Sequence, residues 1–196
     1  MMAAMALSGE AAPAVPGREL DPATLARARN GDPIAFRAFV VRYERPVFAL
    51  LSRLMGRGRE VEDLAQETFL RAFRALPGFD PDGPARVSTW LLTIATRLAL
   101  DARKKRRPEP VVPDVASDTS SPERLARQLE LRAALARAIE ALPDDQRAAF
   151  VLAEFHDFSL KDIAEALGAP VGTIKTRVFR AREKLQGALA DFKEDR

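Results

Sequence analysis

Apolar residues recur at intervals of three and four positions along most of the chain, which is the period of an α-helix. No segment alternates apolar and polar residues over the length of a strand. Asp21 and Asp32 each precede a proline, as an N-capping side chain does before the first helical residue. The pattern therefore predicts an all-α protein. The predicted N-terminal helices cover 23–31, 34–56, 60–76 and 89–107.

The pattern is interrupted between Pro108 and Ser121, where prolines and small polar residues replace the apolar period. Such a composition is typical of a flexible linker. Helical periodicity resumes at Pro122, so the chain is predicted to form two small helical domains. The predicted divisions are a disordered tail at 1–17, a domain at 18–107, a linker at 108–122 and a domain at 123–196.

The segment from Ser159 to Leu185 has the features of a helix-turn-helix. Ser159 and Asp162 fit a capping box at the start of a short helix, and Gly168 supplies the turn. In the second helix, the predicted buried stripe consists of Ile174, Val178, Ala181 and Leu185. The opposite side carries basic residues and one phenylalanine, so this segment is predicted to bind DNA.

In a helix-turn-helix, the N-terminal residues of the second helix lie nearest the bases in the major groove. Thr173, Thr176 and Arg180 could reach base edges, since arginine forms bidentate bonds with guanine. Phe179 could contact thymine methyl groups or sugars. The predicted phosphate contacts are Lys175, Arg177 and Arg182. The alternative is a solvated helix in which Phe179 packs against a neighbouring helix.

Composition narrows the function further. A pI near 9.6 suits an acidic partner, although the net charge is only +3. The absence of cysteine excludes disulfides, cysteine-ligated zinc and a thiol nucleophile, and the one histidine, His156, fits a loop residue. No acid–base or metal constellation is visible, so we expect neither an enzyme nor a cofactor. No apolar run is long enough for a bilayer, and the N-terminus lacks a secretory signal, which predicts a cytoplasmic protein.

The stretch "DLAQETFLRAFRAL" (63–76) predicts a helix with an unusual outer face. An apolar side chain, Leu70, stands among hydrogen-bonding residues there, which is more typical of a protein-docking surface than of a solvated one. A solvated face remains the alternative. The residues of this outer face are Asp63, Gln66, Glu67, Leu70 and Arg74.

The next helix has a second distinctive stripe, formed by Trp90, Thr93, Arg97 and Lys104, and ends in the basic run "RKKRR" (103–107). An aromatic ring beside arginines suits stacking on an unpaired base and binding of the nucleic-acid backbone. Alternatively, Trp90 closes the core under the preceding loop and the basic run is solvated.

Three stretches in this order resemble the extracytoplasmic-function sigma factors, the compact two-domain group of the bacterial sigma-seventy family. They are "DLAQETFLRAFRAL", "STWLLTIATRLALDARKKRR" and "ALPDDQRAAFVLAEFHDFSLKDIAEALGAPVGTIKTRVFRAREKL". The resemblance covers roughly residues 20–107 and 123–190 and lies on both sides of the predicted linker.

The resemblance implies a role for each part. Asp63, Gln66 and Glu67 match the motif that binds the clamp helices of the largest subunit of core RNA polymerase. The loop from Phe79 to Ser88 and the following helix match the part that melts and reads the minus-ten element. The residues expected there are Arg86, Ser88, Trp90, Thr93, Arg97 and Lys104. The C-terminal domain would read the minus-thirty-five element and contact the flap of the second-largest subunit, with the linker in the RNA exit path.

The chain also departs from the family pattern. Members often have Arg-Asn where this chain has Thr96-Arg97, and often an aromatic residue near Val87. These differences affect the expected minus-ten preference and not the overall assignment.

We therefore expect an alternative sigma factor that directs core RNA polymerase to specific promoters, with an anti-sigma factor as a further partner and no membrane insertion. Two alternatives remain: a free-standing helix-turn-helix regulator, either monomeric or dimeric, and a sigma-like decoy that binds only an anti-sigma factor. The basic helix disfavours the decoy, and the face around Leu70 disfavours the lone regulator.

Overall fold

The structure is a computed structural model that describes residues 19–56, 58–105 and 122–192. The predicted tail and most of the predicted linker lie outside the described residues. Eight α-helices and no strand occur in the described ranges, which confirms the all-α class. None of these helices is long and apolar enough to cross a membrane.

The N-terminal unit consists of α1 (Pro22–Arg29), α2 (Pro33–Met55), α3 (Arg59–Ala75) and α4 (Val87–Lys105). A short 3₁₀ turn, Leu76–Gly78, follows α3. Both predicted aspartate caps are confirmed: the Thr24 amide donates to Asp21 at 2.9 Å, and the Ile34 and Ala35 amides donate to Asp32. These bonds satisfy amides that the first helical turn leaves without a partner.

The long helix α2 forms the centre of this unit, because α1, α3 and α4 all pack against it. Its fully buried side chains meet Leu91 and Ala95 of α4 in one apolar core. Each buried leucine or phenylalanine contributes about 1.5–3 kcal/mol to folding. The buried residues of α2 are Ala35, Phe39, Tyr43, Val47, Leu50, Leu51, Leu54 and Met55.

Thr96 is fully buried on α4. Its hydroxyl donates to the Leu92 carbonyl at 2.8 Å, so the polar atom is satisfied inside the core. Thr96 is therefore a packing residue and not a surface one.

The C-terminal unit consists of α5 (Pro122–Glu140), α6 (Asp144–Phe155), α7 (Leu160–Leu167) and α8 (Val171–Ala188), followed by the 3₁₀ turn Ala190–Phe192. The predicted capping box is confirmed, since Ser159 and Asp162 each bond to the other's backbone amide. Gly168 ends α7 with φ 59°, a left-handed conformation that glycine adopts without steric strain. The helices α7 and α8 thus form the predicted helix-turn-helix.

The two units pack against each other, with α2 and α4 facing α6 and α7. Arg147 of α6 is only 2% exposed and lies at the centre of this contact. It donates to the carbonyls of Ile139, Leu142 and Glu140 in the α5–α6 turn, and to Leu54 at the end of α2. Because these oxygens belong to helix ends, a buried cation there is compensated by carbonyls that lack helical partners.

Candidate nucleic-acid and protein-docking surfaces

The outer face of α8 is open to solvent. Its predicted inner stripe of Ile174, Val178, Ala181 and Leu185 is buried, as the helical period requires. Phe179 is 60% exposed, so it does not pack against a neighbouring helix in the described structure. The other predicted base-contacting residues, Thr173, Thr176 and Arg180, are exposed on the same helix, together with Lys175.

The basic residues of α8 fall into two groups that the sequence could not separate. Arg177 is paired with Asp145 of α6 at 2.9 Å, and Arg182 is paired with Glu154 of α6. Lys175 and Arg180 form no ion pair with a described residue, and neither does Lys184 farther along the helix. Of the predicted DNA contacts, the two unpaired ones therefore lie in the N-terminal and middle turns of the helix, where a helix-turn-helix approaches the bases.

On α3, the outer face predicted to dock a protein is exposed. Leu70 is 51% exposed, and Asp63, Gln66 and Arg74 surround it at the surface. Glu67 pairs with Arg71 one turn away at 2.7 Å. The surface is apolar at its centre and polar at its edge, as protein interfaces commonly are.

Sequence reasoning missed Phe73, which extends this face. Phe73 is 47% exposed, and its ring meets Phe36 of α2 edge-on at 4.8 Å between centroids. Its position three residues after Leu70 would have placed it beside that leucine. Neighbouring exposed apolar side chains, unlike single ones, commonly mark interaction sites, so Leu70 and Phe73 together make this face a candidate for docking.

The loop before α4 is connected to the rest of the unit by aromatic and polar contacts. Trp90 lies against Phe79 with 5.2 Å between ring centroids and packs on the core, so the core-closing alternative for Trp90 holds in this structure. Ser88 donates to Glu19 at 2.5 Å, and Thr93 donates to the Thr89 carbonyl at 2.8 Å.

The remaining predicted minus-ten residues lie in different environments. Arg86 is exposed at the end of the loop. Lys104 lies at the far end of α4, 3.6 Å from Asp101. Arg97 donates to the carbonyls of Glu165 and Ala166 at the end of α7, at 3.0 and 3.2 Å. The structure thus brings Arg86, Ser88 and Trp90 together, whereas Arg97 is engaged by the C-terminal unit.

No group of three or more His, Cys, Asp or Glu side chains in the described ranges is arranged to hold a metal ion. The chemistry that the described surfaces offer is stacking, hydrogen bonding and charge pairing. The described structure is a two-part helical protein with one basic face suited to DNA and one mixed apolar and polar face suited to a protein.

Comparison with known proteins narrows this class. Residues 39–109 match the family model "Sigma-70 region 2", and residues 132–185 match "Sigma-70, region 4". The chain is 36% identical over 185 residues to the RNA polymerase sigma-H factor of Pseudomonas aeruginosa, covering 88% of this chain and 95% of that protein. It is 38% identical over 178 residues to the ECF RNA polymerase sigma-E factor of Escherichia coli K12, covering 84% and 92%.

Solved structures agree with these relatives. The sigma factor RpoE of Bartonella quintana, in complex with the anti-sigma factor NepR, aligns with a TM-score of 0.65 and 27% identity, over 82% of this chain and 98% of that one. CnrH in complex with the cytosolic domain of CnrY aligns with a TM-score of 0.62 and 31% identity, over 88% and 97%. The chain belongs to the sigma-70 family, in its extracytoplasmic-function group. Members of this family are transcription initiation factors and are not known as enzymes.

Proposed function

We propose that this chain is an alternative sigma factor that binds core RNA polymerase in the cytoplasm and directs it to specific promoters. The observation that carries the proposal is the presence, on one chain of this family, of two separate exposed surfaces. One is the apolar and polar face of α3 around Leu70, and the other is the basic face of α8 around Phe179 and Arg180. A DNA-binding protein that acts alone has no need of the first surface.

The family of the chain suggests a role for each unit, and the exposed side chains fit it. The α3 face, with Asp63, Gln66 and Glu67, binds the clamp helices of the largest polymerase subunit. The α8 face reads the minus-thirty-five element by base contacts from Arg180 and the threonines, while Lys175, Arg177 and Arg182 contact phosphates. The 79–86 loop and α4 open and read the minus-ten element. When core polymerase holds both units on one promoter, binding of the first unit raises the effective concentration of the second unit at its own DNA element.

An anti-sigma factor is part of the proposal. The similar sigma factor RpoE of Bartonella quintana was solved in complex with the anti-sigma factor NepR, and CnrH was solved in complex with the cytosolic domain of CnrY. The exposed Leu70 and Phe73 offer this chain an apolar surface for a partner that competes with polymerase.

Arg97 sets a geometric condition on minus-ten binding. Its guanidinium now donates to two carbonyls of α7, so it can contact DNA only after the C-terminal unit has moved away from α4. We therefore infer that the units separate when core polymerase is bound.

The first test is co-elution of the full chain with core RNA polymerase. We expect Asp63→Ala with Gln66→Ala to weaken polymerase binding at least about tenfold, as hot-spot truncations do. Glu130→Ala is the matched control, because it removes an exposed carboxylate from α5, on a different helix from the docking face. Both variants should retain the helical circular dichroism of the wild type.

Two results would contradict the proposal. Free elution of the folded wild type would favour the lone regulator or the decoy, and a symmetric operator bound by a dimer would identify the regulator. Equal weakening by Glu130→Ala would show a general charge effect and not a docking face.

A further inference from the structure

Two arginines of α8 stand at opposite edges of its outer face. At about 100° per residue, Arg177 and Arg182 each lie about 110° from the centre of that face, on either flank of the buried stripe. A helix that lies in the major groove has a phosphate backbone along each flank. The two arginines are therefore placed toward different strands of the duplex.

The helix α6 packs against α8 and supplies one carboxylate to each of these arginines. Asp145, in the first turn of α6, pairs with Arg177, and Glu154, in the last turn, pairs with Arg182. Both carboxylates thus come from a helix outside the helix-turn-helix. They reach the recognition helix only because the fold lays α6 against its buried stripe.

The two pairs differ in the nitrogen atoms that they use. The Nε atom of Arg177 lies 2.9 Å from Oδ2 of Asp145, and its two terminal nitrogens bond to no described residue. Arg182 instead donates to Glu154 through both Nε and the terminal Nη2. The Arg177 side chain is only 25% exposed, so its stem is packed while its end keeps both terminal nitrogens available.

The Asp145 carboxylate is itself held in place. Its Oδ1 atom accepts from the Gln146 amide at 2.9 Å, which leaves Oδ2 directed to Arg177. The first turn of a helix also favours a negative charge, because its amides give that end a positive potential. Asp145 is therefore a fixed and charged support for the guanidinium group.

A carboxylate beside an arginine can act on DNA binding in two opposite ways. It can compensate the positive charge and weaken the attraction to phosphate, or it can hold the guanidinium ready to bind phosphate. An arginine that is free in solution loses side-chain freedom on binding, and one that is held beforehand loses less. The unused terminal nitrogens of Arg177 favour the second role, since a guanidinium binds phosphate through two parallel N–H groups.

We propose that Asp145 is a positioning residue that holds Arg177 for a phosphate beside the minus-thirty-five element. Asp145 does not touch DNA in this arrangement and acts only through Arg177. The inference rests on the proposed function, and it adds to that function a residue of α6, outside the helix-turn-helix.

The test measures binding of the full chain to fluorescent duplexes of about 20 base pairs by anisotropy, at several salt concentrations. One probe is a random-sequence pool, and the other is the sequence that the wild type enriches from that pool. We expect Asp145→Ala to weaken binding to the enriched duplex about fivefold. It should also reduce the slope of log K against log salt by about 0.9, as the loss of one phosphate contact does.

A double-mutant cycle separates positioning from a general structural effect. Arg177→Ala alone should reduce the salt slope by the same amount, and addition of Asp145→Ala to it should change the affinity less than about twofold, because no arginine remains to be held. Glu130→Ala, which removes an exposed carboxylate from α5, is the matched control and should leave affinity and slope unchanged.

Two further variants separate positioning from charge compensation and from misfolding. Asp145→Asn removes the charge but keeps one acceptor oxygen, so it should bind the enriched duplex at least half as tightly as the wild type. If Asp145→Ala loses helical circular dichroism, Asp145→Ser replaces it, since the shorter hydroxyl can still bond to the first turn of α6 without reaching Arg177.

Tighter DNA binding by both Asp145→Ala and Asp145→Asn would overturn the inference, because it would show charge compensation. An unchanged salt slope in Asp145→Ala, or an equal loss with and without Arg177, would overturn it as well. Co-elution with core polymerase distinguishes these failures from a failure of the proposed function. If the wild type co-elutes and the Asp145 variants bind DNA as it does, only the positioning role is refuted, whereas a wild type that neither co-elutes nor enriches a sequence refutes both.

Discussion

At the scale of single residues, His156 shows how tertiary surroundings change the chemistry of a side chain. The residue follows α6, and its Nε2 atom is buried without a hydrogen-bond partner in the described structure. Burial, together with the nearby Arg53 guanidinium, lowers the pKa of His156 to about 3. Arg53 belongs to α2 and lies 4.4 Å from the centre of the Phe155 ring. The imidazole is therefore neutral in the folded protein at neutral pH.

This pKa predicts a loss of stability in mild acid. Below the unfolded value of 6.5 the unfolded chain binds a proton that the folded chain does not bind until about pH 3. The contribution of His156 to the free energy of unfolding should therefore fall as the pH decreases from about 6.5, by about 2 kcal/mol at pH 5. Urea unfolding of the wild type and of His156→Gln at pH 7.5 and 5.0 measures the difference, and the variant should lack this share of the loss. Identical pH dependence of the two proteins would contradict it.

At the scale of elements, α8 combines a buried stripe that follows from helical period with an outer face whose charges differ in availability. The carboxylates that pair with Arg177 and Arg182 come from α6, whereas Arg180 has no such partner among the described residues. Paired arginines already have part of their charge compensated. Sequence-specific contact should therefore depend on Arg180 more than on Arg182.

We expect Arg180→Ala to abolish promoter selection and leave polymerase binding intact, because a bidentate base contact provides about 1–3 kcal/mol of discrimination. Arg182→Ala should weaken all sequences alike, since a phosphate contact carries no sequence information. Sequencing of transcripts made by the reconstituted holoenzyme on fragmented genomic DNA measures selection. Arg137→Ala, which removes an exposed arginine from α5, is the control. Loss of polymerase binding together with selection in Arg180→Ala would refute this division of roles.

At the scale of the whole molecule, the two units share a continuous apolar core, and charged and polar contacts around the end of α2 add to it. Arg103 of α4 donates to Asp144 of α6 at 2.6 Å and to the Leu54 carbonyl at 3.0 Å, and Arg147 also donates to Leu54. Arg103 is largely buried, whereas Asp144 is half-exposed, so the pair contributes modestly to the contact. A contact of this kind can open when a partner binds the separated units more tightly than the packed ones.

Asp144→Asn should shift the units toward separation. If the Arg103–Asp144 pair contributes about 1 kcal/mol of interaction free energy, its loss changes the ratio of packed to separated units about fivefold. Because the chain has no cysteine, Glu44→Cys and Gln186→Cys provide unique labelling sites for energy transfer between α2 and α8. We expect lower transfer in the Asp144→Asn protein than in the parent, and no change with Arg27→Ala, whose ion pair with Asp32 lies inside the N-terminal unit. Unchanged transfer in Asp144→Asn would show that this pair does not hold the contact.

The sequence by itself determined the helices, their caps and the helix-turn-helix. These features depend on residues within a few positions of one another: apolar period, Asp-Pro caps, the Ser159–Asp162 box and the left-handed Gly168. It also predicted the buried stripe of α8 and the exposed Leu70, since both follow from angular position on one helix.

Only the tertiary structure decided which surface charges are free, where Arg97 donates, why His156 remains neutral and how Glu19 bonds to the first turn of α4. Each of these depends on residues from helices that are distant in the chain: Glu19 with Ser88, Arg97 with α7, Arg53 with His156, and α6 carboxylates with α8 arginines. Periodicity fixes the side of a helix on which a residue lies, but it carries no information about which other helix packs against that side.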